Sequence, residues 1–595
     1  MLLPTLDALS ASREMTDVFL GYNHNLRIGS GEFYDMKNLT SAYYPVLSPR
    51  GARGVYASPQ NPQGLVAKDT LGYVDGSSFV LDGYTVDMGL STQADKCPKT
   101  LVSMGAYVII LPDRKYINTA NLTDFGSIDA SVSTTGPVSF ELCRPDGNAY
   151  AVTYRQASEP TEPANMDLWI DTSTTPNSLK QYSETSGMWV SIATTYIKIS
   201  SPGIGAAFAQ YDGVTISGLK GQQLIDSPSG DTFTDADLDA IDGAFVVWSC
   251  GEDYLVIVGM LGNTRTIANS ITVAREMPEM DFVVESENRL WGCRYGVAAN
   301  GKVVNEIYAC KLGDFKNWNC FMGVSTDSYA ASCGTDGQFT GAVTHLGYPL
   351  FFKENYLHKV YGNYPANYQI QTIACRGVQK GSARSLAIVG EVLFYKSVGG
   401  ICAYDGSLPA EVSSALGEAA YRDAVGCAHA GKYYVSMQDG AGMYHLFVYD
   451  TVRRLWHKED NTRADAFCAC RSELYYIDHA DRKIKTVSGS GTRDTAPVEW
   501  MAETGIIGTD SPDKKTISKL VVRMSLEIGT RVYFYAQYDS LGEWEYLCTM
   551  TGSSLRSFSM PIRPKRCDHL RLRIVGEGDA KIYSITKTVE KGSDV

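Results

Sequence analysis

The sequence predicts an all-β protein: a β-propeller of six to eight blades with an inserted small β-module and a C-terminal β-sandwich. Composition points that way first. Aromatic residues make up 11% of the 595 residues, with 37 Tyr against 19 Phe, while charged residues reach only 20% and glycines number 56. Sheets favour aromatics, and tight turns favour Gly. The second observation is a multi-stranded unit that recurs about every 40 residues, the length of one propeller blade. Third, the spacers between apolar strands are too short for crossover helices, which disfavours a parallel α/β sheet. A chain this long holds roughly two to four domains, and an array of sandwiches is the alternative architecture.

Residues 1–60 show no helical period. The stretch FLGYNHNLRIGSGEFYDMKNLTSAYYPVLSPRGARG mixes turn formers with Phe19, Tyr22, Phe33, Tyr34, Tyr43 and Tyr44. It is either a strap over its own body or an arm reaching a neighbouring subunit, because aromatic anchors on a weakly charged segment suit partner surfaces. Residues 61–120 hold the first blades, with units beginning at Gly64 and Thr100.

Between 121 and 243 the rhythm stops. Here MDLWID and NSLKQY pair across a TTP turn and GMWVSI adds a third strand. Two Trp can core so small a unit, which reads as an insertion emerging from an early blade. Residues 244–492 carry the remaining blades. Their clearest units start at Asp281, Gly341, Arg384, Asp423 and Ala464, at offsets of 60, 43, 39 and 41 residues. In YHLFVYDTVRRLW and NEIYACKLGDFKNW a strand and turn end in Trp, which resembles the kelch-type blade strand without that repeat's double glycine. Residues 493–595 then break into about seven or eight alternating strands, a sandwich pattern. In HLRLRI, Leu570, Leu572 and Ile574 share one face and leave Arg571 and Arg573 on the other.

Few residues carry a recognisable chemistry. The 14 cysteines form no CxxC pair and read as free thiols of a chain folded in reducing cytoplasm, with Cys468 and Cys470 on one strand face. The opening residues lack a basic n-region, so no secretory signal is read, and apolar runs are of strand length. Walker A, GxSxG and HExxH patterns are missing, and no cofactor is expected. The sialidase Asp-box S-x-D-x-G-x-x-W has SCGTDGQF as its nearest approach, without the Trp. The chain is therefore expected to be non-enzymatic, with no catalytic, cofactor-binding or metal residues.

Two charged clusters need weighing. In DADLDAIDG, Asp235, Asp237, Asp239 and Asp242 have calcium-loop spacing, but the sixth position is Ala240 and the twelfth Val246. The preferred reading is a short helix capped by Thr234, with Asp237 completing a capping box. RPKRCDHLRLR gathers Arg563, Lys565, Arg566, Arg571 and Arg573. It is a salt-bridge strip or a positive patch meeting an acidic neighbour or nucleic acid. With 53 basic and 66 acidic residues the net charge is −13, which argues against general polyanion binding.

The opening arm, a Gly-Tyr-Asn start with a Gly-Glu step and a Pro-Arg close, resembles the N-terminus of tailed-bacteriophage virion proteins. Its shape also looks like the propeller-type tail nozzle and head-to-tail hub (stabilisation) proteins of short-tailed phages. PIRPKRCDHLRLRIVGEGDAKIYSITKTVEKGSDV looks like the end of related phage structural proteins, and DLWIDTSTTPNSLKQYSETSGMWV is similar to β-modules spliced into tail proteins. The resemblance implies a virion component of the tail or neck, made in the bacterial host cytoplasm. It would form a homo-oligomeric ring, a hexamer, beside other tail or neck proteins. That ring would close or extend the DNA exit channel, and a charge of −13 would keep passing DNA from sticking. A tail-tip propeller holding host glycan, or a propeller glycosidase, are the alternatives.

Overall fold

A computed structural model describes residues 11–226, 231–298, 301–493, 496–508, 514–552, 554–560 and 565–591. Strands account for 52% of the chain. Seven antiparallel sheets follow one another: six four-stranded meanders starting at Pro62, Thr100, Phe282, Gly341, Ala387 and Arg422, and a seventh starting at Ala464. Local chemistry makes these meanders. In the sixth, Ala430 and Gly431 both have positive φ (49° and 72°), the type I′ geometry that joins two strands with the twist they need.

The first strands of successive sheets lie side by side in chain order, the fourth meeting the fifth through Ala383–Ser385, and Ala464–Cys470 of the seventh returns to lie against Pro62–Ala67 of the first. That is the arrangement of a β-propeller. The sheets hold together face to face through the aromatics that the composition advertised. Leu350, Phe352 and Leu357 of the fourth sheet, for example, are buried against Leu393, Tyr395, Cys402 and Tyr404 of the fifth. The units read from Gly64, Thr100, Asp281, Gly341, Arg384, Asp423 and Ala464 each fall on one sheet.

The seventh sheet is completed by the beginning of the chain. Strand Gly54–Ala57 pairs antiparallel with Ile484–Thr486, with Lys485 opposite Val55, and on its other side with Thr492–Arg493. Residues before it pair into two sheets at the C-terminal end of the chain. Ala11–Thr16 forms the edge beyond Ala580–Lys591, and Glu32–Lys37 pairs with Glu499–Thr504 in the facing sheet. Of the two readings of residues 1–60, the described part fits the strap over the chain's own body and not a free arm: it pairs with the C-terminal sheets and with the seventh propeller sheet. Leu570, Leu572 and Ile574 do share the buried face, packed with Trp500, Val522 and Phe534.

The insertion is larger than the sequence suggested. It runs from Ala130 to Arg275 between the second and third sheets, and Asn121–Ser127 is the fourth strand of the second sheet. Gly243–Gly251 and Tyr254–Val258, read as blade strands, belong instead to the insertion's eight-stranded sheet. Their partners, Gly213–Ser217 and Tyr196–Ser200, lie in the insertion. Leu168–Asp171, Ser178–Ser183 and Met188–Ser191 pair as expected. The helix over Asp235–Ile241 has the Thr234 cap and the Asp237 capping box. No helix among the described residues is long and apolar enough to cross a membrane.

Candidate functional site

A cavity of about 680 Å³ opens where the first strands begin. Its wall takes residues from the starts of the first, third, sixth and seventh sheets, and from just before the second and fifth. Convergence of six sheets places it on the propeller axis, the natural concavity of such a ring.

Three consecutive first strands are irregular at this mouth. Gln63 is skipped between the pairs Pro62–Asp75 and Gly64–Val74. Asp423 and Ala424 fall between the pairs Arg422–Gln438 and Val425–Ser436. Asp465 is skipped between Ala464–Asp478 and Ala466–Ile477. Each is a bulge, a device that re-aims a side chain out of the strand alternation. Here Gln63, Asp423 and Asp465 all line the cavity.

Basic side chains surround Asp465. The Asp465 carboxylate has His479 Nδ1 at 2.8 Å, Arg482 at 3.0 Å and Arg463 at 3.8 Å. Arg482 also donates to Asn61 Oδ1 and the Pro62 carbonyl, both at 3.0 Å. Arg384 donates to the backbone carbonyls of Asp465 and Pro98 at 2.9 and 3.2 Å, stapling across the mouth. Burial lowers the Arg384 guanidinium below its ordinary value, opposed by Asp465. Arg463 lies over the Tyr444 ring, 4.9 Å from its centroid. Three arginines against two aspartates make the mouth locally positive in a chain of net charge −13.

Gln63 is the exception to this pairing. It is 2% exposed, and neither its amide nitrogen nor its amide oxygen has a hydrogen-bond partner among the described residues. A buried amide without partners costs about 1–3 kcal/mol.

The residues singled out in the sequence lie elsewhere. Phe19, Tyr22 and Phe33 are 4%, 3% and 1% exposed inside the chain's own core, so they are corrected from contact candidates to packing residues. Tyr34 lies under the Arg571 guanidinium at 4.7 Å, and Tyr43 and Tyr44 sit at the surface beneath Lys581 and Arg453. Arg563 lies outside the described residues. Lys565 pairs with Glu545 and caps the Tyr538 ring. Arg566 is exposed in a short strand, Arg566–Cys567. Arg571 and Arg573 converge on the buried Glu503 at 3.3 and 2.8 Å, so this part of the cluster is the salt-bridge strip. None of these residues lines the axial cavity.

No protein-family model and no curated protein matches the chain. Among solved structures it is similar to an exo-β-1,3-galactanase from Phanerochaete chrysosporium: 7% identity over 51% of this chain and 94% of that one, TM-score 0.21. A family 43 glycoside hydrolase from Bacillus subtilis, an arabinoxylan arabinofuranohydrolase, shares 9% identity over 51% and 94%, TM-score 0.16. A Trypanosoma rangeli sialidase shares 9% over 98% and 96%, TM-score 0.20. The expectation of a non-enzymatic chain is corrected by this finding, since these neighbours are glycoside hydrolases and a sialidase. Likeness at such TM-scores assigns no reaction or substrate to this chain.

Proposed function

We propose that this chain is a structural component of a tailed-phage virion, built on a seven-bladed propeller, and that six copies form a ring in the tail nozzle or neck around the DNA exit channel. The resemblance of its opening and closing segments to nozzle and hub proteins motivates the reading. The observation that carries it is the weave of residues 11–57 through both sandwich sheets and into the seventh propeller sheet. Propeller and sandwich share one buried core, so a contact made by either part would bear on the other around a closed ring. Adjacent tail or neck proteins would cap that ring, and its net negative charge would leave passing DNA unbound. Native mass spectrometry of the purified chain tests this: a species of six times 65.0 kDa is expected, and a monomer at all concentrations overturns it.

A second reading, a tail-tip propeller that holds host glycan, is favoured by the axial cavity. Tyr444 offers a ring edge, while Gln63, Asp423 and Asp465 offer hydrogen-bonding groups of the kind that bind sugar hydroxyls. Saccharide binding lost on substitution at the mouth tests this reading. Turnover lost in Asp423→Asn would extend it to hydrolysis.

A further inference from the structure

We propose that the axial mouth is a binding site for a carboxylate-bearing sugar, a hexuronate unit. The inference rests on the glycan-holding reading of the cavity and names the class of ligand. Two features at the seam between the first and seventh sheets carry it. Gln63 sits in a bulge of the first strand of sheet one, and Arg463 immediately precedes the adjacent first strand of sheet seven. Both line the same cavity.

The Gln63 amide is buried with its donor and acceptor unpartnered among the described residues. An amide in that state is stabilised by a ligand group that both donates and accepts, as a sugar hydroxyl does and a bare anion does not. Arg463 is held by the Tyr444 face, and its nearest carboxylate oxygen, on Asp465, is 3.8 Å away. A guanidinium so placed keeps an edge for a bidentate carboxylate. The excess of arginine over aspartate favours an acidic ligand over a neutral one.

Calorimetric titration of the full chain tests this, with galacturonate and glucuronate compared with galactose, glucose and acetate. The hexuronates are expected to bind about tenfold or more tightly than the neutral hexoses, and Arg463→Gln to weaken them by about the same factor. Gln63→Leu separates a binding role from a structural one. It is expected to weaken hexuronate binding while leaving the thermal midpoint unchanged or higher, since it removes an unpaired buried amide. Equal binding of neutral and acidic sugars overturns the acid claim and leaves the glycan reading standing. Acetate binding as well as hexuronate overturns the sugar claim. Binding of no saccharide overturns both.

Discussion

Glu503 shows how charge is handled at the level of single residues. It is buried at 5% exposure, and its two oxygens receive Arg571 and Arg573, which in turn cover the rings of Tyr34 and Trp544. Removing the acid strands two partly buried guanidinium groups, whereas removing one arginine leaves the acid a partner. Glu503→Ala is expected to lower unfolding stability by about 2 kcal/mol and Arg571→Ala by less than about 1 kcal/mol, read from chemical denaturation. Buried histidines give a second test. Burial, with Lys432 nearby, pushes His457 down to about 3, and burial, with Lys353, pushes His358 down to about 4. As pH falls below about 6.5 the unfolded chain takes up protons that the folded chain refuses, so stability drops between pH 6.5 and 4. Each site is expected to contribute about 1.4 kcal/mol per pH unit. Urea midpoints measured at pH 7, 6 and 5 should fall, and His457→Gln should flatten the fall.

Among elements, the closing strand Gly54–Ala57 is the most consequential. A Cβ at Gly54 would lie 2.0 Å from the Ser490 carbonyl oxygen and 2.7 Å from Thr486 Oγ1. Gly54→Val is therefore expected to cost about 3 kcal/mol or more, because backbone on the partner side cannot move aside. Deleting residues 1–57 removes that strand and strands from both sandwich sheets. The truncated chain is expected to be insoluble or rapidly proteolysed, whereas loss of a free arm would leave the body intact. This closure is not legible in the sequence. Gly54–Ala57 is four residues long, its burial does not alternate cleanly, and its partner lies near the far end of the chain. The blades are legible because each repeats its own turn and apolar strands locally. The insertion boundary is not, since Tyr254–Val258 is as apolar as any blade strand and pattern alone does not reveal its partner. The mouth has no motif for a related reason: the ring assembles it from residues scattered over six sheets. Its one trace is that repeat starts such as Asp423, and Asp465 one residue past the start at Ala464, fall in phase.

For the whole molecule, charge and architecture separate two roles. The chain carries −13 overall, yet its axial mouth is lined by Arg384, Arg463 and Arg482. The proposed DNA channel and the proposed acid-binding mouth would then be different surfaces, and raised salt should weaken only binding at the mouth. The aromatic richness divides in the same way: Phe352, Tyr395 and Tyr404 pack between the fourth and fifth sheets, whereas Phe282 and Tyr444 line the cavity. A cryo-electron microscopy map of the purified chain tests the central claim most directly. Six-fold rings are expected in which each copy has seven blades, the last closed by residues 54–57. Isolated copies, a different blade number, or density that places residues 54–57 on a neighbouring copy would contradict it.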